Sequence, residues 1–468
     1  MRDAASLTHR QKTWALCTLI IALVLEIVDM TIVNTALPAL KASLGANSQA
    51  SQWIVAGYSL AFALLLMAGG RLGDSFGYRR MFLWGVAGFT LASAACGLAT
   101  TGTQLVAARL LQGAVGAVMA PQAMALVQVL FDPLERVSRM AMFGIIGGLA
   151  AIAGPILGGV LIHANLFDLG WRVVFLINLP VGLGAVVAGL VFLPEARSGR
   201  PAGYDLAGMG LFGLAMAALF WPLIGAGAAG AGHYASLLAA PPLALAGWWH
   251  VARRVARGRP ALFDPAIFAI PTFRKGLALS IAFSAVGAGF LLVFAFALQA
   301  ERGQSPLFTG LLHMPYGFGA MFGIGVVSRS LLPRFGRRVT VAGTAVMAAA
   351  VAGVLYGVAA HWPWGAVGAL LLLSGAGMGG TVGCIGPIVV CDVARDHAGA
   401  ASAMMKTSQQ LGSALGVALV GSLYFASAGR GASPALYALG AIETLLLACL
   451  LLALNLPLRL FAGARGQD

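Results

Sequence analysis

Glu26 and Asp29 stand three residues apart inside an apolar run from Trp14 to Ala36. On a helix this spacing puts both carboxyls on one face, a turn apart. A carboxylate at the centre of a bilayer costs about 2.5–3.5 kcal/mol on insertion scales, so each needs a partner, a water-filled cavity or a function. Like charges this close repel, and the pair is suited to holding one exchangeable proton. Arg109, inside a later apolar run, is the natural counter-ion for Asp29. Protonating Asp29 would release it, and a cationic solute would compete for the same carboxylate. The alternative is that one acid pairs with Arg109 merely to hold helices together. Glu443 is a third acid in an apolar run and stands open between a coupling residue and a partner for Lys406. His313 either carries protons near neutral pH or simply hydrogen-bonds.

The elements that position these groups follow from composition. Of 468 residues, 60% are hydrophobic and 9% charged, against about 25% charged in an ordinary soluble domain. This excludes a water-soluble globule and makes the bilayer the main solvent. A membrane helix needs about 20 apolar residues. Fourteen runs of that kind recur: six within 14–194, two softer ones at 206–227 and 234–252, and six within 273–458. The expected fold is all-α and polytopic, with three blocks: an N-terminal six-helix bundle (14–194), two inserted helices (206–252) and a C-terminal six-helix bundle (273–458). The first run is too long for a signal-peptide core and reads as a retained span. The five cysteines lie in apolar runs and imply no disulfide framework.

The net charge of +14 does not read as a nucleic-acid footprint, because the basic residues punctuate apolar runs instead of forming a face on a soluble module. With a cytoplasmic N-terminus, 24 of the 29 Lys and Arg fall on the cytoplasmic side, as the positive-inside rule requires. Lys41, Arg172, Arg302 and Arg430 fall outside, and Arg109 lies within a span. An even number of spans places both termini in the cytoplasm. The two six-span blocks echo each other: Gly70-Arg-Leu-Gly-Asp-Ser-Phe-Gly-Tyr-Arg-Arg80 in the first and Arg329-Ser-Leu-Leu-Pro-Arg-Phe-Gly-Arg-Arg338 in the second. A parallel repeat of six-helix halves is the sequence mark of a rocking transporter.

Several motifs then fall in order along nearly the whole chain. The first span reads Asp29-Met-Thr-Ile-Val-Asn-Thr-Ala-Leu-Pro38, followed by Gln52-Trp53 and Tyr58. Next come Gly70, Leu72, Asp74, Gly77, Arg79 and Arg80 of a G-x-L-x-D-x-x-G-R/K-R/K loop, then Arg109-x-x-Gln112-Gly113 and Pro121-Gln122. Gly154-Pro155-Ile-Leu-Gly158-Gly159 and Trp171-Arg172-x-x-Phe175-x-x-Asn178-x-Pro180 complete the series. The chain resembles the major facilitator superfamily, and more narrowly its 14-span drug:proton antiporters of the EmrB/QacA type.

That resemblance implies a proton-coupled exporter of lipophilic drugs in the plasma (inner) membrane, working by alternating access without cofactors. Glu26, Asp29, Arg109 and Glu443 are the candidates for proton and substrate coupling. Gly70, Asp74, Gly77, Arg79 and Arg80 form the cytoplasmic gating loop, which in the family latches the two halves. Gly154, Pro155, Gly158 and Gly159 match the antiporter helix motif, and Asn34, Trp53, Tyr58, Gln112 and Gln122 are candidates for a cavity. Three membrane acids against Arg109 and Lys406 lean toward cationic or neutral substrates. The chain departs from the pattern at Val115, where a second glycine is usual, and at Lys406 and Gln409. Pro333 replaces the loop aspartate in the second copy, so only the first loop should latch. The expected partners are the bilayer, protons and small-molecule substrates, with no nucleic acid, and nothing in the sequence specifies a periplasmic adaptor. The rival readings are a uniporter or symporter of a small metabolite and a polytopic membrane enzyme. No H-E-x-x-H, nucleophile elbow, P-loop or paired Cys/His ligand set supports the enzyme.

Overall fold

Helices begin where the sequence supplies caps. Thr8 and Gln11 form a capping box at the start of α1 (His9–Leu44), and Gly45 ends it in the left-handed conformation, φ 58°. Asn47 Oδ1 accepts from Ala50 N at 2.7 Å to open α2 (Ser48–Phe76). α3 (Tyr78–Leu98) follows after Gly77 alone. Thr101 caps α4 (Gly102–Leu130), and Pro133 opens α5 (Pro133–Ala164). α6 (Val173–Leu176), α7 (Asn178–Phe192), α8 (Leu206–Leu223) and α9 (Ala240–Ala256) come next. Then come α10 (Pro271–Phe296), α11 (Pro306–Leu312), α12 (Met314–Phe322), α13 (Arg329–Phe335), α14 (Arg337–Ala359), α15 (Trp364–Val390), α16 (Ala398–Ala426) and α17 (Pro434–Leu454). The architecture comes from a computed structural model, which describes residues 7–197, 203, 205–224, 231–393, 398–428 and 433–457. Arg2, Arg200, Arg395, Arg430, Arg459 and Arg465 lie outside the described residues.

Among the described residues, twelve helical stretches are long and apolar enough to cross a membrane, two of them composite: Gly170–Phe192, which runs through α6 and α7, and Pro306–Phe335, which runs through α11, α12 and α13; only internally satisfied backbone is tolerated there. Of the fourteen runs expected, the eighth and thirteenth do not meet that standard. α9 has 17 residues, because the chain from Ala231 to Leu238 forms a 3-10 segment and Pro241-Pro242 sit in the first helical turn. α16 has 29 residues but carries Lys406, Gln409 and Gln410.

The chain divides into two units, Met1–Leu219 with Leu237–Leu262, and Phe220–Ser236 with Phe263–Asp468. Within the first, α2 packs on α4, α3 on α4, α1 on α5, and α7 on both α1 and α3. Within the second, α12 packs on α15, α14 on α15, α10 on α16, and α17 on both α10 and α14. Counting spans within each unit, these are the same pairings. Glycines make the matching close approaches. Gly113 of α4 abuts the Tyr58 carbonyl of α2, and Gly375 of α15 abuts the Tyr316 carbonyl of α12. Any Cβ at either position would collide with backbone, the reason small residues mark such crossings.

The Phe-Gly-x-Arg echo has a conformational basis. Gly77 (φ 96°) and Gly336 (φ 55°) both break the chain between consecutive helices at positive φ, which glycine alone adopts freely. Their N–H groups close the preceding helices on Gly73 O at 2.8 Å and Leu332 O at 2.9 Å. In each unit an arginine just after the glycine, two places on in the first and one place on in the second, reaches the C-terminal end of a later helix, α7 or α17. Arg79 Nη2 donates to Leu190 O at 2.6 Å, and Arg337 Nη1 donates to Leu454 O and Leu456 O at 2.5 Å each. These are carbonyls that a helix C-terminus leaves unpaired.

Candidate functional site

Asp29 and Arg109 meet inside the first unit. Asp29 is 0% and Arg109 1% exposed, and Arg109 Nη1 lies 2.5 Å from Asp29 Oδ2. Gln112, one turn beyond Arg109 on α4, donates from Nε2 to Asp29 Oδ1 at 2.8 Å and accepts from Arg109 Nη1 at 2.8 Å. Asn178, the first residue of α7, donates to the same Oδ1 at 2.9 Å and to Ser93 Oγ of α3 at 2.9 Å. Ser93 Oγ donates to Phe175 O at 2.9 Å. Arg109 Nε donates to Ile54 O of α2 at 3.0 Å, and its guanidinium lies 4.3 Å from the centre of the Tyr58 ring. One carboxylate thus ties together α1, α4 and α7, with α2 and α3 joined through Arg109 and Asn178.

This arrangement follows from local sequence. Asp29 and Glu26 share the buried face of α1. Arg109 and Gln112 lie three apart on α4, so they flank one point on the facing helix. A buried carboxylate accepting three hydrogen bonds with a guanidinium beside it meets the condition under which charge is tolerated in hydrocarbon. Glu26 is 3% exposed, one turn deeper along α1. Both it and Asp29 act electrostatically on Tyr58, which is fully buried and whose hydroxyl has no hydrogen-bond partner. Neither Asn178 nor Ser93 is among the candidate site residues that the sequence offers. Asn178 stood in a recognised motif as a polar residue in an apolar run, and that was the available signal.

The glycine motif of α5 packs on α1 just beyond Asp29. A Cβ on Gly154 would strike Thr31, and one on Gly158 would lie 3.0 Å from Ile32 O. Gly159 and Pro155 are also buried. Gln112 is engaged in the ionic network, while Gln122 Nε2 donates to Gly69 O at 2.7 Å and Val118 O at 3.0 Å and its Oε1 is buried without a partner. Asn34 is buried, donates to Thr31 O at 3.3 Å and leaves Oδ1 unpaired; Trp53 is half-buried. At Val115 the crossing is rearranged, with Gly113 against the α2 backbone, Gly116 against the Phe62 ring and Val115 against Gly88.

The motif expected as a loop is mostly helical: Gly70 to Phe76 are the last turns of α2, and Gly77 alone separates them from α3. Tyr78 Oη donates to Asp74 Oδ1 at 2.7 Å, while Arg79 turns to Leu190 O and to Glu195 at 3.3 Å. Arg71, next to Gly70, holds two later segments of the same unit. It donates to Gly203 O at 2.7 Å and to Ala261 O. Between these segments Asp205, 0% exposed, accepts from Gly208 N at 2.9 Å and Leu262 N at 3.1 Å and lies 2.8 Å from His250 Nε2. Burial alone would raise the Asp205 pKa, but the hydrogen bonds from Gly208, His250 and Leu262 outweigh it and hold the carboxyl below its ordinary value. No sequence signal marks this cluster, since its members come from three distant segments.

In the second unit, Glu443 on α17 is half-buried and its Oε1 is buried without a hydrogen-bond partner. His313 is 4% exposed, 4.8 Å from Tyr316 and 5.9 Å from Phe294 between ring centres, with Nδ1 unpaired. Among the described residues no group of three or more His, Cys, Asp or Glu is disposed to hold a metal.

The comparisons with known proteins agree on the family. The family model for the Major Facilitator Superfamily matches residues 19–417. The chain is 35% identical over 429 residues to a protein of Streptomyces coelicolor named "Probable actinorhodin transporter", covering 90% of this chain and 74% of that one. It is 36% identical over 421 residues to the Tetracenomycin C resistance and export protein of Streptomyces glaucescens, covering 88% and 76%. Among solved structures, a bacterial homologue of the human lysosomal transporter Spinster superposes with a TM-score of 0.66 at 15% identity, covering 98% of each chain, which speaks to the fold alone. With its apolar helices, its doubled helix pairings and a family match over most of its length, the chain is a multi-pass membrane protein that belongs to the Major Facilitator Superfamily of transporters.

Proposed function

We propose that this protein is a proton-coupled exporter of lipophilic, cationic or neutral drugs and toxic compounds, acting by alternating access in the plasma membrane. Relatives named for actinorhodin transport and for tetracenomycin C resistance and export support the drug-export part of this reading. The observation that carries the coupling is the buried Asp29–Arg109 pair. A proton arriving at Asp29 removes the charge that holds Arg109, so protonation and the packing of α1 against α4 are one event. Glu26, on the same face, is the residue that meets the charge of a cationic substrate. Glu443 contributes a further acid from the second unit. No covalent chemistry is needed: differential affinity of the two conformations for proton and drug drives exchange.

The reading includes fourteen spans arranged six, two and six, both termini cytoplasmic, and the Gly70–Arg80 motif biasing the conformational equilibrium. α9 and α16 then cross the membrane despite length or polarity, as the lopsided distribution of basic residues requires. The test is substrate-driven proton movement in proteoliposomes enclosing a pH-sensitive dye. Asp29→Asn abolishes drug-dependent proton flux, whereas Glu26→Gln chiefly narrows the range of cations exported. Undiminished flux in a well-folded Asp29→Asn protein overturns the assignment.

A further inference from the structure

The geometry points to a binding site for an anionic phospholipid headgroup on the first unit, between the start of α3 and the end of α7. A cavity of about 340 Å³ opens there, lined by Arg79, Arg80, Arg197, Glu195, Leu83 and Leu190. Three guanidiniums face one carboxylate, so the cavity carries an excess of two positive charges. Among the described residues, Arg80 and Arg197 enter no ion pair, and both are exposed. Arg79 is anchored through its terminal nitrogens to Leu190 O and Glu195, and its Nε is buried with no partner.

Two features build the site. The chain leaving α7 folds back so that Ala196 O accepts from Tyr78 N at 3.0 Å, which brings Arg197 to the first turn of α3. Gly77 makes room: a Cβ there would lie 3.2 Å from Arg197 Cγ. α3 itself has no side-chain cap, so the positive end of a 21-residue helix adds to the guanidiniums.

The apolar walls decide between a lipid and a soluble phosphate. Leu83 and Leu190 continue into outward surfaces of α3 and α7 where Trp84 is 65% and Val187 54% exposed. A phosphodiester held by the arginines can lay its acyl chains along those helices, whereas a free phosphate gains nothing from them. Basic pockets at helix ends on the cytoplasmic side are where anionic headgroups bind. Only the choice of leaflet rests on the topology proposed above.

The test is native mass spectrometry of the full-length protein from mixed micelles containing phosphatidylglycerol or phosphatidylcholine with identical chains. Wild type retains phosphatidylglycerol preferentially. Arg80→Gln with Arg197→Gln lowers that retention about 25-fold, at about fivefold for each guanidinium, while Arg257→Gln with Arg259→Gln, the same charge change elsewhere, leaves it unaltered. The exposed Arg197→Gln alone, expected to fold, loses about fivefold and provides the check if the double variant is unstable. Equal retention of the two lipids, or equal loss in the control variant, overturns the site. Displacement by millimolar glycerol 3-phosphate assigns it to a soluble anion and overturns the lipid. None of these readouts involves transport, so failure of the export reading leaves them intact.

Discussion

Replacing Asp29 with Asn tests how tightly charge and packing are linked in the first unit. Asp29 Oδ2 meets Arg109 at 2.5 Å, and Oδ1 accepts from Gln112 at 2.8 Å and Asn178 at 2.9 Å. An asparagine keeps one acceptor oxygen. Turned toward Arg109, it presents its NH2 to two other donors; turned toward those donors, it presents NH2 to the guanidinium. Either way a guanidinium 1% exposed loses its counter-charge. Breaking one partner of such a pair costs about 3–5 kcal/mol. Arg109→Gln alone strands the carboxylate and also removes the cation–π contact with Tyr58, worth about 0.5–2 kcal/mol. The double variant leaves no unpaired charge, so its loss falls short of the sum of the single losses by about 2–3 kcal/mol. Reversible unfolding in mixed micelles, run on all four proteins, measures this coupling. Losses that add to within about 0.5 kcal/mol refute the claim that the two residues form one interdependent unit.

Other consequences are as specific. Asp205 has its carboxyl held below its ordinary pKa. Its stabilising contribution is therefore present above about pH 4 and lost as pH falls through the lowered value. The melting difference between wild type and Asp205→Asn closes only on that acid side, and a difference that grows on acidification contradicts the sign. Gly113→Ala and Gly375→Ala each drive a methyl into a backbone carbonyl and cost about 1–3 kcal/mol or more. Gly144→Ala, with open space around it, is neutral or stabilising by up to about 1 kcal/mol; thermal unfolding separates the two classes. Loss of Asp74, as Asp74→Asn, slows turnover more than it weakens substrate binding, as measured by separate flux and binding assays. Arg257→Cys is labelled by an impermeant thiol reagent only from the cytoplasmic side, and labelling from outside refutes the topology.

The membrane class, the family and the Asp29–Arg109 partnership were legible because a bilayer leaves few polar residues to choose among, and each one stands out of its apolar run. The order of motifs then narrowed the family. What the sequence did not reveal depends on contacts between distant segments of ordinary composition. Ser93 is one serine among many until α7 brings Asn178 to it. Asp205, His250 and Leu262 become a cluster only when the two loops flanking α8 and α9 fold against Arg71. The hydrogen bonds of Gln112 to Asp29 and of Gln122 to Gly69 are contacts between helices that the sequence does not show. Side-chain type alone does not tell a lining amide from a bracing one. Of the two softer runs, 206–227 forms α8 and is long and apolar enough to span, whereas a proline pair shortens α9; α16, expected as an ordinary span, is diluted by a polar stretch.

The matching helix crossings in the two units have a further implication. Gly113 and Gly375 make the same contact with a tyrosine carbonyl, yet four residues earlier the first unit has Arg109 and the second has Leu371, fully buried. The two units thus share helix geometry at this crossing but not electrostatics. An ancestor of duplicated six-helix halves would have been free to load ionic machinery onto one copy while the other kept an oily seam at the same level. Transplanting an Asp–Arg pair into the second seam would ask whether such asymmetry is a requirement of exchange or an accident of descent.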